Sequence, residues 1–393
     1  MTTSAEQIRA YTGPAILSYG FRPFFLGGAL WAAAAVGLWL PVLTGYLTLP
    51  TAFAPVEWHV HELIYGYVPA VVAGFLLTAV PNWTGRLPVT GRPLLMLFLI
   101  WVLGRGAVFG SRWIGPGLAA SIDLLFLATL AAVIAREILA AKNMHNLKVL
   151  GVIALLFAGN AAFHLEVLRG GGHGYGTRIG IAATILLIML IGGRIIPSFT
   201  RNWLAKREAG RLPTPFNRFD VTVMLGSGLA LASWIIAPEH LATALLSLVA
   251  CLLNIIRLGR WAGERTGAEP LVLILHIAFA FVPFGFLLLA LGIFRPDIVA
   301  PSGALHGWTA GAIALMTLAV MTRTSLGHTG RPLTATRPIQ LIYGAAIIAA
   351  LTRIIAAFGI AREPMLHASA TAWVLAFVGF AIVCGPLLMR PRA

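Results

Sequence analysis

The chain has 393 residues, of which 59% are hydrophobic and only 10% charged, with a mean hydropathy of +0.88. Soluble globular domains carry about a quarter of charged residues, so a water-soluble enzyme is excluded. The net charge of +15, from 28 Lys and Arg against 13 Asp and Glu, would in a soluble protein point to nucleic acid. Here the basic residues collect in loops between apolar stretches, as they do on the cytoplasmic side of a membrane, and no nucleic-acid partner is expected.

The apolar stretches run to about 20 residues, enough to cross about 30 Å of hydrocarbon at about 1.5 Å per residue. Breaks rich in Gly, Pro and Arg divide the chain into twelve predicted spans, at 24–43, 57–80, 93–110, 116–141, 147–169, 176–199, 218–237, 239–258, 269–292, 303–325, 338–360 and 365–389. The fold class is therefore all-α, a polytopic protein in the lipid bilayer. No stretch outside the spans is long enough to fold alone, so the chain reads as one transmembrane domain over 1–393. Assigning Lys and Arg to alternate loops puts 20 on the side of the N-terminus, Arg9 and Arg22 among them, and only 5 on the other. That asymmetry predicts both termini in the cytoplasm. The first 23 residues lack the short apolar core and small-residue cleavage site of a signal peptide.

A faint repeat runs through the spans. The second ends in AVPNWTGRLPVTGRP (79–93) and the tenth in AVMTRTSLGHTGRP (319–332), and the helices that follow carry LIWVLGRGAVFG (99–110) and AIIAALTRIIAAFG (346–359). The end of the sixth, IIPSFTRNW (195–203), is a third copy. Copies four spans apart suggest three units of four helices.

Chemistry is expected where ionisable side chains enter the spans, because each costs about 2.5–3.5 kcal/mol at mid-helix. Cys251 and Cys384 both lie in apolar stretches, which leaves neither a disulfide framework nor a thiolate zinc site, and no C-x-x-C-H motif offers covalent haem attachment. Histidine is the more telling residue, since its neutral imidazole binds haem iron and copper. The alternation of spans puts His59 and His61 of WHVHELIYGY (58–67), His164 and His306 in the same outer third of the bilayer. His276 is deeper, on the ninth span. His145 and His328 fall on the inner side, and His173, His240 and His367 in short outer segments. Residues two apart on a helix point about 200° away from each other, so either the His59–His61 segment is extended and chelates one ion, or the two rings serve different neighbours. Asn160, one turn before His164, is placed either to orient that ring or to make a hydrogen bond to another helix. Arg105, Arg194 and Arg353 lie within spans and need anionic partners, for which haem propionates, Asp123, Glu166 or helix ends would serve. Glu57, Glu62, Asp123 and Glu166 all lie in the outer half, so protons are expected from the periplasmic side, with Glu62, Tyr65 and Glu166 as candidates to deliver them.

YGFRPFF (19–25), WHVHELIYGYVPAVVAGFLLTAVPNWTGR (58–86), GGRIIPSFTRNW (192–203) and ALHGWTAGAIALMTLAVMTRTSLGHTGRP (304–332) resemble the NnrS family of bacterial membrane proteins. The resemblance implies a twelve-helix inner-membrane protein that contains haem b and copper and acts in the response to nitric oxide. It also implies that His59, His61, His164, His276, His306 and His328 stand at the family's histidine positions. ALHGWT departs from the expected ALHALT but keeps the histidine. The grouping in fours, with histidines near one surface, is analogous to haem-copper oxidases. The expected activity is reduction of NO to N2O at a histidine-bound metal centre, with quinol as electron donor; the alternative is a haem- or metal-binding sensor or transporter without turnover.

Overall fold

The computed structural model describes residues 11–172, 174–207 and 209–392. Arg9 and His173, both placed above by topology, lie outside the described residues. Among the described residues there is no strand, and twelve helices are long and apolar enough to cross a membrane. They are α1 (Phe21–Leu43), α2 (Pro55–Thr84), α3 (Gly91–Phe109), α4 (Pro116–Ala140), α5 (Met144–Leu168), α6 (Tyr175–Leu204), α7 (Arg218–Ile236), α8 (Leu241–Gly259), α9 (Pro270–Phe294), α10 (Gly307–His328), α11 (Arg337–Ala357) and α12 (Arg362–Met389). Each predicted span is present, with shifted ends. Pro81 in α2 lacks an N–H, yet the helix continues to Gly85, whose φ of 68° is the left-handed turn that closes it. At the other end of α2, Pro55 stands at the first helical position and Glu57 Oε2 accepts the Ala54 N–H at 2.8 Å, which satisfies a donor that the helix leaves free.

Burial separates the helices into two kinds. In α2, α6, α9 and α10, 67–83% of the span is buried, against 33–44% in the other eight. The less buried helices keep an apolar stripe for lipid, such as Leu225, Leu229 and Ile236 on α7 and Leu245, Leu252 and Ile256 on α8.

Three of the four buried helices share a local irregularity that the sequence does not announce. A π-helical segment occupies Glu62–Tyr67 in α2, Ile188–Gly192 in α6 and Gly307–Ile313 at the start of α10. These are the helices whose ends the sequence repeat equates. A wide turn shifts the hydrogen-bond ladder by one residue and is frequent at functional sites. Side chains take up the carbonyls it displaces: Trp101 Nε1 donates to Gly66 O at 2.9 Å in α2, and Arg257 Nη1 donates to Met189 O at 3.2 Å in α6.

The chain divides into two compact units. One takes in the chain up to Ala183, with Thr324–Pro332 and the chain from Phe377 on; the other takes in Thr184–Arg323 and Leu333–Ala376. The first holds α1 to α5 and the polar cluster described next.

Candidate metal centre

Four helices of the first unit deliver six polar side chains to one place. α2 brings His61 and Glu62, α3 Arg105, α4 Asp123, and α5 Asn160 and His164, and none is more than 3% exposed. The chain is helical from Pro55 to His61, so His59 and His61 diverge. His59 stacks on Trp39 of α1 with ring centroids 4.4 Å apart, while His61 lies 4.9 Å from the His164 ring. The extended, chelating alternative is thereby removed. α3 approaches α4 closely because residue 104 is glycine. A Cβ there would stand 3.0 Å from Asp123 Oδ1, so a larger residue would force apart the helices that bring Arg105 to Asp123.

Asp123 and Glu62 are the acceptors around which the cluster is built. Arg105 Nη1 donates to both Glu62 oxygens at 2.7 Å, and its Nη2 donates to Asp123 Oδ1. Asp123 Oδ2 accepts from Asn160 Nδ2 at 2.8 Å, and it lies 2.9 Å from His164 Nε2 and 3.3 Å from His61 Nε2. On the far side of its ring, His61 Nδ1 stands 2.9 Å from Glu62 Oε1.

Counting donors against acceptors gives an imbalance. Only the NH2 of an amide can face a carboxylate, so Asn160 must turn its Oδ1 toward His61 Nε2, 3.1 Å away. Both His61 nitrogens then face oxygen acceptors, whereas a neutral imidazole carries one N–H. With Nδ1–H donated to Glu62, the Nε2 lone pair is aimed at other lone pairs. With both imidazoles neutral, two carboxylates against one guanidinium leave one negative charge over. The pocket lacks a cation at Nε2, and a second proton or a metal ion would supply it. His61, Asp123 and His164 each offer one ligand atom, all within 4.8 Å of one another. Two imidazole nitrogens and a carboxylate oxygen are a donor set for zinc, copper, iron or nickel, and three protein ligands leave a coordination position open. Phe53 closes the apolar side, its ring 5.1 Å from His61 and 5.7 Å from His164, and the Phe163 ring lies 5.4 Å from His61.

The other sequence candidates divide around this cluster. Tyr65, one turn beyond His61, donates its hydroxyl to Gly176 O at 2.5 Å. Glu166 accepts the N–H groups of Tyr175 at 2.8 Å and Gly176 at 3.2 Å. These two proton-delivery candidates therefore meet on one residue, Gly176. His328 lies against aromatic rings, with Tyr19 and Phe21 each at 5.5 Å. His276, His306, Arg194 and Arg353 belong to the second unit. His276 Nε2 donates to Thr200 Oγ1 at 2.8 Å, whose own hydroxyl goes to Ile196 O, and His276 Nδ1 is buried without a hydrogen-bond partner. Among the described residues, His59, His276, His306 and His328 join no group of three potential ligands.

Of its two expected roles Asn160 takes the interhelical one, binding Asp123 of α4 and His61 of α2 rather than orienting His164, because the carboxylate takes the amide NH2. One role differs from the sequence expectation. Asp123, counted above as a counter-ion and an outer-half acid, is the hub of the ligand group. Its place in the outer half of an apolar span is the signal for it, and Arg105 pairs with that acid, one of the partners expected for it above, and with Glu62.

A search of curated proteins finds no match. The sequence model of the family described as NnrS protein, by contrast, matches residues 15–392. With nearly the whole chain matched and twelve membrane-length helices in place, this multi-pass membrane protein belongs to the NnrS family.

Proposed function

We propose that the chain is an inner-membrane metalloprotein of nitric oxide metabolism or defence, with both termini cytoplasmic, in which His61, Asp123 and His164 hold a transition-metal ion that serves the reduction of NO to N2O. One observation carries the reading: both His61 nitrogens face oxygen acceptors, Nδ1 facing Glu62 and Nε2 facing Asn160 Oδ1 and Asp123 Oδ2, an arrangement that a metal ion at Nε2 would complete as a second proton would. The donor set suits copper, the metal that the family resemblance implies. Haem b does not fit here, because Phe53 packs against both imidazoles, Phe163 and Asn160 against His61, and Arg105 against Asp123, with the whole cluster buried.

Reducing two NO to N2O takes two electrons and two protons and releases water. A bound metal ion would supply the electron transfer and an open position for NO, with quinol as the proposed donor. The protein's own groups do the rest. Glu62, pinned by Arg105, fixes the His61 ring through Nδ1–H and so aims Nε2 into the pocket. Glu166 and Tyr65, meeting at Gly176, mark the route by which protons approach from the half-buried side. NO is small and lipophilic and enters from the bilayer.

The test is metal content per chain together with headspace N2O after anaerobic addition of NO and reductant. His61→Ala, His164→Ala and Asp123→Asn should each lower metal occupancy about tenfold or more while the protein still inserts, since a lost ligand removes affinity but not an apolar span. Full occupancy in all three variants overturns the centre. Metal binding without N2O leaves the non-catalytic reading, a metal-binding sensor or transporter.

A further inference from the structure

The π-helical segments put residues of the first and last repeats into register. His61 immediately precedes the segment of α2, and His306 that of α10. Gly66 and Gly311 each stand at its fifth residue. Arg105 lies five residues before the cap residue of α3, Gly110, and Arg353 five before that of α11, Phe358. A second His–Arg pair thus occupies the place that His61 and Arg105 hold in the first repeat. The packing agrees. A Cβ at Gly303 would stand 3.1 Å from Ala357 Cα, which sets the start of α10 against the end of α11; His306 follows Gly303 by three residues and Arg353 precedes Ala357 by four.

The partners are not repeated. Where Glu62 faces Arg105, the equivalent position is Gly307, and among the described residues no carboxylate pairs with Arg353. Glu363, in the first turn of α12, is exposed and forms no ion pair. The charged neighbour that acts on Arg353 is another cation, Arg362. Arg353 also sits on the protein-facing side of α11: Ala346, Ala349, Ala350 and Ala356 on that side are buried, and Ile348, Leu351 and Ile355 on the other are exposed. It is half-buried there, so the protein around it does not close the side chain off from a ligand. A guanidinium kept in a membrane span without a counter-ion is costly, and its planar fork matches the two oxygens of an oxyanion.

We infer that Arg353, with His306 completing the repeated pair and Arg362 beside it, forms an anion site that takes an oxyanion group through two hydrogen bonds. The first repeat has surplus carboxylate and accepts a cation; the last has surplus guanidinium and accepts an anion. The site does not depend on the metal-centre reading, since no residue is shared. The oxyanion is either a free ion or the phosphate of a phospholipid, and the probes separate these.

Purified full-length protein is titrated with nitrite, with inorganic phosphate, and with phosphatidylglycerol against phosphatidylcholine, following thermal unfolding and bound lipid by native mass spectrometry. Wild type should bind one of these anions, and Arg353→Gln should weaken it about ten- to a hundredfold, the range for hydrogen bonds to a charged group. Arg353→Lys should weaken it less, keeping the charge but losing the fork. Arg362→Gln, at an exposed position, should cost about fivefold. Binding of nitrite or phosphate in lipid-free detergent, lost in Arg353→Gln, supports the site with a free oxyanion. The same loss seen only with phosphatidylglycerol supports it with a headgroup. Equal responses of wild type, Arg353→Gln and Arg362→Gln to every probe, or no response at all, overturn it.

Discussion

Two buried arginines, each near a π-helical turn, do different work. In the second unit, Arg257 donates through Nε to Asp220 Oδ1 at 3.0 Å and through Nη1 to the displaced Met189 carbonyl, and Arg260 donates to Asp220 Oδ2 at 3.2 Å. Asp220 also accepts the Asn217 N–H at 3.0 Å, and the Arg257 guanidinium lies over the Trp261 ring at 5.3 Å. Both carboxylate oxygens have donors and no imidazole nitrogen is left facing acceptors alone, so the group closes on itself. Around Arg105 the acids outnumber the arginine and a histidine nitrogen has only acceptors to face. Burial and charge alone would grade the two clusters alike. The donor–acceptor balance separates a brace from a site that needs a ligand.

Removing the arginine from each cluster should give the largest effect and the sharpest contrast. Arg257→Met strands Asp220 and should cost about 3–5 kcal/mol of stability, as breaking one side of a buried pair does. Arg105→Met strands Glu62 and Asp123 and should cost at least as much in metal-free protein. The two should then part on addition of copper, which would restore stability to Arg105→Met by occupying the negative pocket and leave Arg257→Met unchanged. Thermal unfolding with and without chelator measures both. An equal response to copper would abolish the distinction drawn here.

A smaller change tests the count of hydrogen bonds itself. Asn160→Leu removes the group that holds Asp123 Oδ2 and faces His61 Nε2, and it should lower metal affinity about 10–100-fold, the usual cost of losing a partner that orients ligands. His59→Ala, which unstacks Trp39, should leave metal content unchanged. Metal titrations of the two variants decide whether the site belongs to the α2–α5 cluster or to the WHVH motif as a whole.

That contrast shows how far the sequence carries. Twelve spans follow from hydrophobic length alone, because lipid allows few other structures, and only the ends moved, at places such as Pro81 where a proline is tolerated in the last turn. His61, His164, Glu62 and Arg105 were found because ionisable residues in spans are rare enough to be conspicuous. His59 was grouped with them by depth, but depth says nothing about azimuth: the helical turn between residues 59 and 61 sends one ring to Trp39 and the other to Asp123. The π-helical segments left no mark in the apolar pattern, since a one-residue insertion inside a helix buried on most sides changes no hydrophobic periodicity. They are what align His61 with His306, whereas Arg105 and Arg353 are already paired by the repeat in the sequence.

The smallest effect concerns how such a turn is held in place. In α2 the displaced Gly66 carbonyl accepts from Trp101 Nε1 at 2.9 Å, and a Cβ on Gly66 would stand 2.7 Å from Arg105 Nη1. The wide turn and the metal pocket therefore share a wall. Trp101→Phe keeps the aromatic volume but leaves the carbonyl unpaired in a buried place, at a cost of about 1–3 kcal/mol. If the carbonyl only needs a donor, the loss should appear in thermal stability while metal affinity stays within about twofold, because Glu62 remains clamped by Arg105. A tenfold fall in metal affinity with little loss of stability would mean instead that the turn sets the angle at which His61 enters the pocket, and the π-helical segment of α2 would then count among the elements that position the metal.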